Sequence, residues 1–260
     1  MSLNYADYLK LDPLLRLQQP RSQPAEHDEM LFIVIHQVYE LWFKLLLHEV
    51  DKVKGDLTDN DLFACIHTFK RMRTVMKTLV GQLDILETMT PMSFSSFRER
   101  LETASGFQSI QFRELEFVLG YKRADTLQYY QHDPAGLALL QDRLAQRSTH
   151  DHFYDFLAHR GVELPEAVVQ RDVTLPVEAN EQVQAGILRL YRRSPEVGIL
   201  LELMTDFDEG QQEWRYRHVK VVERTIGAKK GTGGSPGVEF LKKSLFQPIF
   251  PDLWAIRHQL

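Results

Sequence analysis

The sequence predicts an all-α protein built as a bundle of long helices. Apolar residues recur at spacings of three and four over long stretches, and no stretch shows the strict alternation of a strand. The longest stretches cover about residues 28–56, 59–88, 176–193 and 196–226. Because all four exceed the usual globular helix of about 11–12 residues, a helical bundle is favoured.

Proline and glycine mark where these helices should begin and end. Thr90-Pro91 predicts the end of the second long helix, because the residue before proline is driven out of the helical conformation. Gly227 predicts the end of the fourth, and Ser235-Pro236 predicts an N-cap followed by proline at the first helical position. Shorter helices are expected at about 93–102, 108–119, 134–146, 150–160 and 236–246, with connections at about 20–24 and 164–176.

Composition restricts the class of protein. The 260 residues are 43% hydrophobic, enough for the core of the single domain that we predict over residues 1–260. The net charge of −5 offers no basic surface for nucleic acid and no polybasic patch for a membrane. Cys65 is the only cysteine, which excludes a disulfide framework and favours a reduced, cytoplasmic compartment.

The most apolar stretch runs from Met30 to Val50. Polar residues such as His36, Glu40 and Lys44 interrupt it, so a buried helix of a soluble protein is expected and not a membrane span. The N-terminus has no basic segment followed by an apolar run, so no signal peptide is expected.

Ten histidines in a helical protein suggest a metal or a metal-bearing cofactor. No glutamate has a histidine three residues later, which argues against a di-iron carboxylate site. Neither the His-Glu-x-x-His zinc motif nor the Cys-x-x-Cys-His haem-attachment motif occurs. A non-covalent haem needs neither of these motifs, since an apolar slot and one facing imidazole hold it.

His36 and His218 both lie inside long apolar helices. Phe32 precedes His36 by one helical turn and shares its face, and Trp214 precedes His218 in the same way. From the residues alone, a hydrogen-bonded core histidine is the favoured reading of either position, and periodicity alone makes neither one a ligand.

Three further features are ambiguous when taken singly. Arg98 has the planar fork that suits a carboxylate, but taken alone it is better explained as a surface arginine near Glu99 and Glu102. The glycine-rich run at 229–237 is either a ligand-binding loop or a flexible linker, and it lacks the Walker A order. The stretch 103–109 indicates only a loop before a helix.

Taken together, four blocks resemble the signature of tryptophan 2,3-dioxygenases, in the family's order and over nearly the whole chain. The blocks are His27-Asp-Glu-Met-Leu-Phe-Ile-Val-Ile-His-Gln-Val-Tyr-Glu-Leu-Trp, Ala104-Ser-Gly-Phe-Gln-Ser-Ile-Gln-Phe-Arg, Trp214-Arg-Tyr-Arg-His and Lys230-Gly-Thr-Gly-Gly-Ser-Pro-Gly. The resemblance implies a haem b enzyme that adds O2 across the indole C2–C3 bond of L-tryptophan to give N-formyl-L-kynurenine, at the start of the kynurenine pathway.

The resemblance also implies a role for particular residues. His218 would be the axial ligand of ferrous haem iron, and His36 would accept a hydrogen bond from the indole N–H. The other implied substrate-site residues are Phe32 at the indole, Arg98 and Thr232 at the amino-acid end, Ser105 and Gly106 at the haem and oxygen site, and Tyr5, Tyr8 and Leu9 from a neighbouring subunit. Family members are homotetramers, so residues 1–20 are expected to form a segment that closes a neighbour's pocket.

Two residues depart from the commonest family pattern. Phe94 stands where some bacterial members have tyrosine, and Pro236 replaces a serine of the glycine-rich run. Two rival functions stay open: a related haem enzyme that inserts one oxygen atom, and a haem sensor or carrier without turnover.

Overall fold

The computed structural model describes residues 2–234 and 237–260, so Met1, Ser235 and Pro236 lie outside the described residues. Within those ranges the chain is predominantly helical and contains no strand, which confirms the predicted all-α class. The α-helices are α1 Tyr5–Leu9, α2 Leu11–Leu14, α3 His27–Thr58, α4 Leu62–Leu86, α5 Pro91–Phe97, α6 Ile110–Leu119, α7 Pro134–Ala145, α8 Thr149–His159, α9 Glu166–Val169, α10 Glu181–Arg193, α11 Pro195–Ile226, α12 Val238–Lys242 and α13 Pro251–Ala255. Short 3-10 helices cover Arg98–Leu101, Gly106–Gln108, Ala124–Tyr130 and Arg257–Gln259.

The ends of the long helices have recognisable causes. Asp61 caps α4, where its carboxylate accepts from the backbone N–H of Ala64 at 3.0 Å. Pro195 occupies the first turn of α11, where it loses no hydrogen bond, and Gly227 ends that helix at a φ of 60°. The predicted stop at Gly227 is therefore confirmed.

Two predicted boundaries are wrong. The helix expected from residue 176 begins at Glu181, because the Asn180 side chain caps α10 by accepting from the N–H of Gln182 at 3.0 Å. Thr90-Pro91 does not end α4, which stops at Leu86. Instead, Thr90 caps α5 and Pro91 occupies its first turn.

The last short helix also differs from its prediction. The described part of α12 covers Val238–Lys242 and stops before the expected 246. The predicted N-cap and first helical residue, Ser235 and Pro236, lie outside the described residues. Helix α9 interrupts the connection expected at 164–176, and α1 and α2 were not predicted because five and four residues are too few to show a helical period.

Helix α4 lies at the centre of the bundle and packs along both α3 and α11. Helices α6 and α8 pack on α3, and α10 packs on α11. One large cluster of buried side chains joins these elements, with fully enclosed residues such as Leu46 on α3, Phe69 and Met72 on α4, and Phe207 on α11. Because α3 and α11 flank α4, a space is left between them near the end of α4.

Helix α3 is the one helix in the described part of the chain that is long and apolar enough to cross a membrane, with a mean hydropathy of 1.5 in its most apolar window. In the structure its buried face, which includes Ile35, Phe43 and Val50, packs into the core. Its other face leaves Met30, Val34 and Leu41 more than a third exposed, at 42%, 40% and 53%.

Candidate active site

A deep cavity lies between α3 and α11, beside the C-terminal end of α4. It encloses about 1630 Å³, including the part open to solvent. Its walls are mostly apolar side chains from α3, α4, α5, α6, α11 and α12, among them Phe32, Leu83, Phe94, Phe112 and Val219. A large apolar cavity with few polar groups is the usual form of a cofactor or substrate site.

His36 lines this cavity from α3. Its Nδ1 lies 2.7 Å from the carbonyl oxygen of Phe32. Because a carbonyl can only accept, Nδ1 carries the proton, which leaves the lone pair on Nε2. Burial lowers the pKa of His36, so the imidazole is neutral at neutral pH. The side chain can therefore accept a hydrogen bond.

His218 lines the same cavity from α11. Burial is the main cause, and the nearby His36 a smaller one, that lowers the pKa of His218 from 6.5 to about 4. No hydrogen bond to its ring nitrogens is formed by residues 2–234 or 237–260. Its exposed ring surface faces the cavity, so a neutral imidazole is available there as a ligand.

Trp214 fixes the plane of the His218 ring. The two rings stack with centroids 5.0 Å apart and planes within 10°. Trp214 in turn contacts the rings of Phe112, Tyr39 and Phe43 at centroid distances of 5.0, 6.2 and 6.2 Å. Since these rings come from α3 and α6, the aromatic cluster ties α11 to both helices and limits rotation of His218.

At the other end of the cavity, the predicted contacts for an amino acid lie together. Arg98 donates through Nη2 to the carbonyl oxygen of Lys230 at 2.8 Å. Thr232 donates through Oγ1 to the carbonyl oxygen of Ala104 at 2.5 Å. These two bonds join residues 98–104 to residues 230–232, two segments that are distant in sequence and that both contribute to the cavity lining. Because the hydroxyl of Thr232 gives its single proton to Ala104, it faces the cavity as an acceptor.

The glycine-rich segment approaches the Ser105 loop closely. A Cβ atom on Gly233 would lie 2.8 Å from the Cβ of Ser105, closer than side chains tolerate. Gly237 is similar, since its Cβ would lie 2.7 Å from the carbonyl oxygen of Lys229 at a φ of 70°. Glycine at 233 therefore lets the segment lie against Ser105, and glycine at 237 lets it approach the backbone of Lys229.

The N-terminal residues lie elsewhere. Tyr5, Tyr8 and Leu9, on α1, are 75%, 70% and 41% exposed and do not line the cavity of their own chain. The other predicted site residues all line it: Phe32, His36, Arg98, Ser105, Gly106, Thr232 and His218.

A buried charged group in the cavity wall, which we call the arginine cluster, was not among the predicted site residues. It consists of Arg113, Arg123 and Arg215, all ion-paired with the buried carboxylate of Glu116. Two of these arginines lie in the blocks quoted above. Their positions on buried helix faces were the available signal, since arginine is rarely buried without a partner.

Fold and cavity together define a helical protein with a large apolar cavity, two neutral imidazoles that line it and a polar rim. The sequence profile described as tryptophan 2,3-dioxygenase matches residues 1–142 and 132–260. The chain belongs to the tryptophan 2,3-dioxygenase family.

Individual relatives align over the full chain. A tryptophan 2,3-dioxygenase from Herpetosiphon aurantiacus is 52% identical over 259 residues, covering 100% of this chain and 99% of the relative. One from Anaeromyxobacter dehalogenans is 48% identical over 100% of this chain and 97% of its own length. One from Rhodococcus jostii is 42% identical over 99% and 92%.

Proposed function

We propose that this chain catalyses the addition of both atoms of O2 across the indole C2–C3 bond of L-tryptophan, forming N-formyl-L-kynurenine. Family membership supports the activity, and one structural observation supports the site. Two neutral imidazoles, on His36 and His218, line one apolar cavity whose rim carries Arg98 and Thr232. A core histidine would not explain why both rings face the same open space.

Haem b fits the chemistry of this cavity. His218 offers a neutral nitrogen donor whose ring orientation is fixed by Trp214, and the apolar walls suit a flat porphyrin. When bound, ferrous haem supplies the iron at which O2 is activated. His218 would hold that iron, and the remaining polar groups stay available for the substrate.

His36 would position the indole. Its Nε2 lone pair can accept the indole N–H, and the ring of Phe32, 4.1 Å from His36, would form a wall beside the substrate. Phe94 extends this wall, with its ring centroid 5.7 Å from that of Phe32, and the fully buried Phe97 supports Phe32 from behind at 5.6 Å. These apolar rings exclude water from the reacting carbons.

Arg98 and Thr232 would hold the amino-acid end of tryptophan. Arg98 keeps donors beyond the one that contacts Lys230, and these suit a carboxylate. Thr232, as an acceptor, suits the ammonium group. Holding both ends of the molecule brings the indole C2 and C3 into a fixed position before reaction. Ser105 and Gly106 would line the oxygen side.

We further propose a cytoplasmic homotetramer of single-domain subunits, each covering residues 1–260, in which residues 1–20 close a neighbour's cavity. The exposed aromatic rings of Tyr5 and Tyr8 support this, because large apolar groups so exposed usually mark an interface. Met30 and Val34, exposed on α3, offer further apolar surface for such contacts.

The product identifies the reaction. Reduced, haem-loaded protein is given L-tryptophan and ¹⁸O₂, and the product is analysed by mass spectrometry. Two labelled oxygen atoms in N-formylkynurenine are expected. One labelled atom would indicate a monooxygenase, and no product despite bound haem would indicate a sensor or carrier.

A further inference from the structure

The arginine cluster lies where α6 meets α11. Arg113 and Glu116 are one turn apart on α6, and Arg123 follows that helix. Arg215 lies on α11, one turn before His218. Nη2 of Arg123 lies 3.0 Å from the Glu116 carboxylate and Nη2 of Arg215 lies 3.5 Å from it, while Arg113 contacts it more closely.

The charges of this cluster do not balance. Among the described residues, three guanidinium groups have Glu116 as their only ion-pair partner, which leaves an excess of two positive charges. The side chains of Arg113 and Arg215 are only 3% and 4% exposed, and that of Arg123 is 15% exposed. Buried charge without a counter-ion is costly, so further negative charge is expected nearby.

Unused donors lie beside this excess charge. Nε of Arg123 and Nε of Arg215 are buried and have no hydrogen-bond partner in the described part of the chain. The guanidinium carbons of the same two residues lie 4.7 and 4.8 Å from the ring centroid of Tyr121, so both cations lie against one aromatic ring. All three arginines line the cavity that contains His218.

We propose that the arginine cluster binds the two propionate carboxylates of haem. A dianion matches the excess of two positive charges, and planar guanidinium forks match carboxylates. Arg215 and His218 are one turn apart on α11, so one helix would hold both the iron and the acidic edge of the same ring. This assignment rests on the proposed haem function and adds to it the residues that orient the cofactor.

The carboxylate of tryptophan is the alternative source of negative charge. The partner proposed above for that carboxylate is Arg98, which lies at the rim of the cavity beside Thr232 and Lys230. Measuring haem binding with no tryptophan present distinguishes the haem propionates from the tryptophan carboxylate.

The test compares haem with haem dimethyl ester, in which both propionates are neutral. Full-length haem-free protein is titrated with each, for the natural sequence, Arg123→Met and Arg123→Lys. Arg71→Met is the matched control: Arg71 also contacts a buried glutamate, Glu49, at 2.9 Å, but neither residue lines the cavity. Circular dichroism of each haem-free variant checks that it folds.

The natural sequence is expected to bind haem roughly 10- to 100-fold more tightly than the ester, as loss of charge-assisted bonds implies. Arg123→Met should reduce this ratio by roughly tenfold, Arg123→Lys by less, and Arg71→Met not at all. An unchanged ratio in Arg123→Met, or a ratio near one in the natural sequence, would overturn the assignment.

His218→Ala separates this inference from the proposed function. Loss of tight haem binding and of the histidine-ligated absorption spectrum supports the haem site itself. If His218→Ala leaves both unchanged, the proposed haem site fails. If only the haem-to-ester ratio is insensitive to Arg123, the haem site stands and the propionate assignment alone is wrong.

Discussion

The His36 ring contacts Phe32 twice, through its face at a centroid distance of 4.1 Å and through Nδ1, 2.7 Å from the Phe32 carbonyl oxygen. The backbone contact fixes the tautomer, and the ring contact fixes the plane. Nε2 is thereby left as an acceptor toward the cavity.

His36→Ala should therefore weaken the recognition of the indole N–H. We expect kcat/KM for tryptophan to fall roughly tenfold, the size of one lost hydrogen bond in a dry site, while 1-methyltryptophan, which has no N–H, is affected less. Steady-state kinetics on both substrates measures the ratio. Loss of all turnover of the methylated substrate in His36→Ala would exclude a role limited to taking up the indole proton.

Arg98→Met should remove the carboxylate contact. A fall in kcat/KM for tryptophan of roughly 10- to 100-fold is expected, and lysine should not restore it fully because it lacks the planar fork. Arg100→Met, exposed on the same 3-10 helix, is the control and should leave the kinetics unchanged. The idea fails if tryptamine, which has no carboxylate, loses as much as tryptophan does.

Gly233→Ala should push the glycine-rich segment away from Ser105, since the new methyl group would lie 2.8 Å from its Cβ. Because Thr232 is the next residue along the chain, we expect the KM for tryptophan to rise roughly tenfold with haem binding unchanged. Gly234→Ala controls for backbone strain alone, because its φ is +76° but, among the described residues other than its chain neighbours, no atom lies within 4 Å of the new Cβ. Equal effects of the two variants would contradict this contact.

Deletion of residues 1–10 should weaken tryptophan binding and leave the haem spectrum intact, because α1 does not line its own chain's cavity. Mixing tests whether the segment acts on a neighbour. The truncated chain and the full-length Arg98→Met chain are each expected to be poorly active. Co-assembly should restore activity, since the variant's N-terminus can close the truncated chain's intact site. No recovery in mixed oligomers would argue against exchange.

The haem-free protein should lose stability as pH falls from about 6.5 to about 4. His150 is fully buried, and burial lowers its pKa from 6.5 to about 4, so the unfolded chain binds a proton in this range and the folded chain does not. This amounts to about 3 kcal/mol for one group. Denaturant unfolding at several pH values should show a smaller loss in His150→Gln, with exposed His132→Gln as control. An unchanged pH slope in His150→Gln would contradict the assignment.

The sequence predicts those features of the structure that depend on residues close together in the chain better than those that depend on contacts between distant residues. Local signals worked for α11, where Pro195 and Gly227 mark both ends. They failed at α10, where the apolar residue Val177 packs on the core without being helical, so periodicity extended the helix too far. The resemblance supplied His36, His218 and the other site residues, and periodicity alone would not have distinguished them from core residues.

The arginine cluster could not be predicted because its members are separated by up to 102 positions, from Arg113 to Arg215. A position on a buried helix face indicates that an arginine needs a partner, but it does not show which residue that partner is. Only the packing of α6 against the region of α11 before His218 brings them to one carboxylate. The same reasoning applies to the contact between Thr232 and Ala104, which joins two loops.

The hydroxyl of Thr232 has a consequence for chirality. Its proton is given to Ala104, so it can only accept, whereas the guanidinium of Arg98 can only donate. With Nε2 of His36 at the indole, the three groups around the α-carbon of tryptophan would each meet a partner of a different kind. If D-tryptophan kept its indole in the same place, its ammonium group would face the Arg98 guanidinium and its carboxylate would face the acceptor oxygen of Thr232. The direction in which the Thr232 hydroxyl donates its proton would therefore contribute to selection of the L-amino acid.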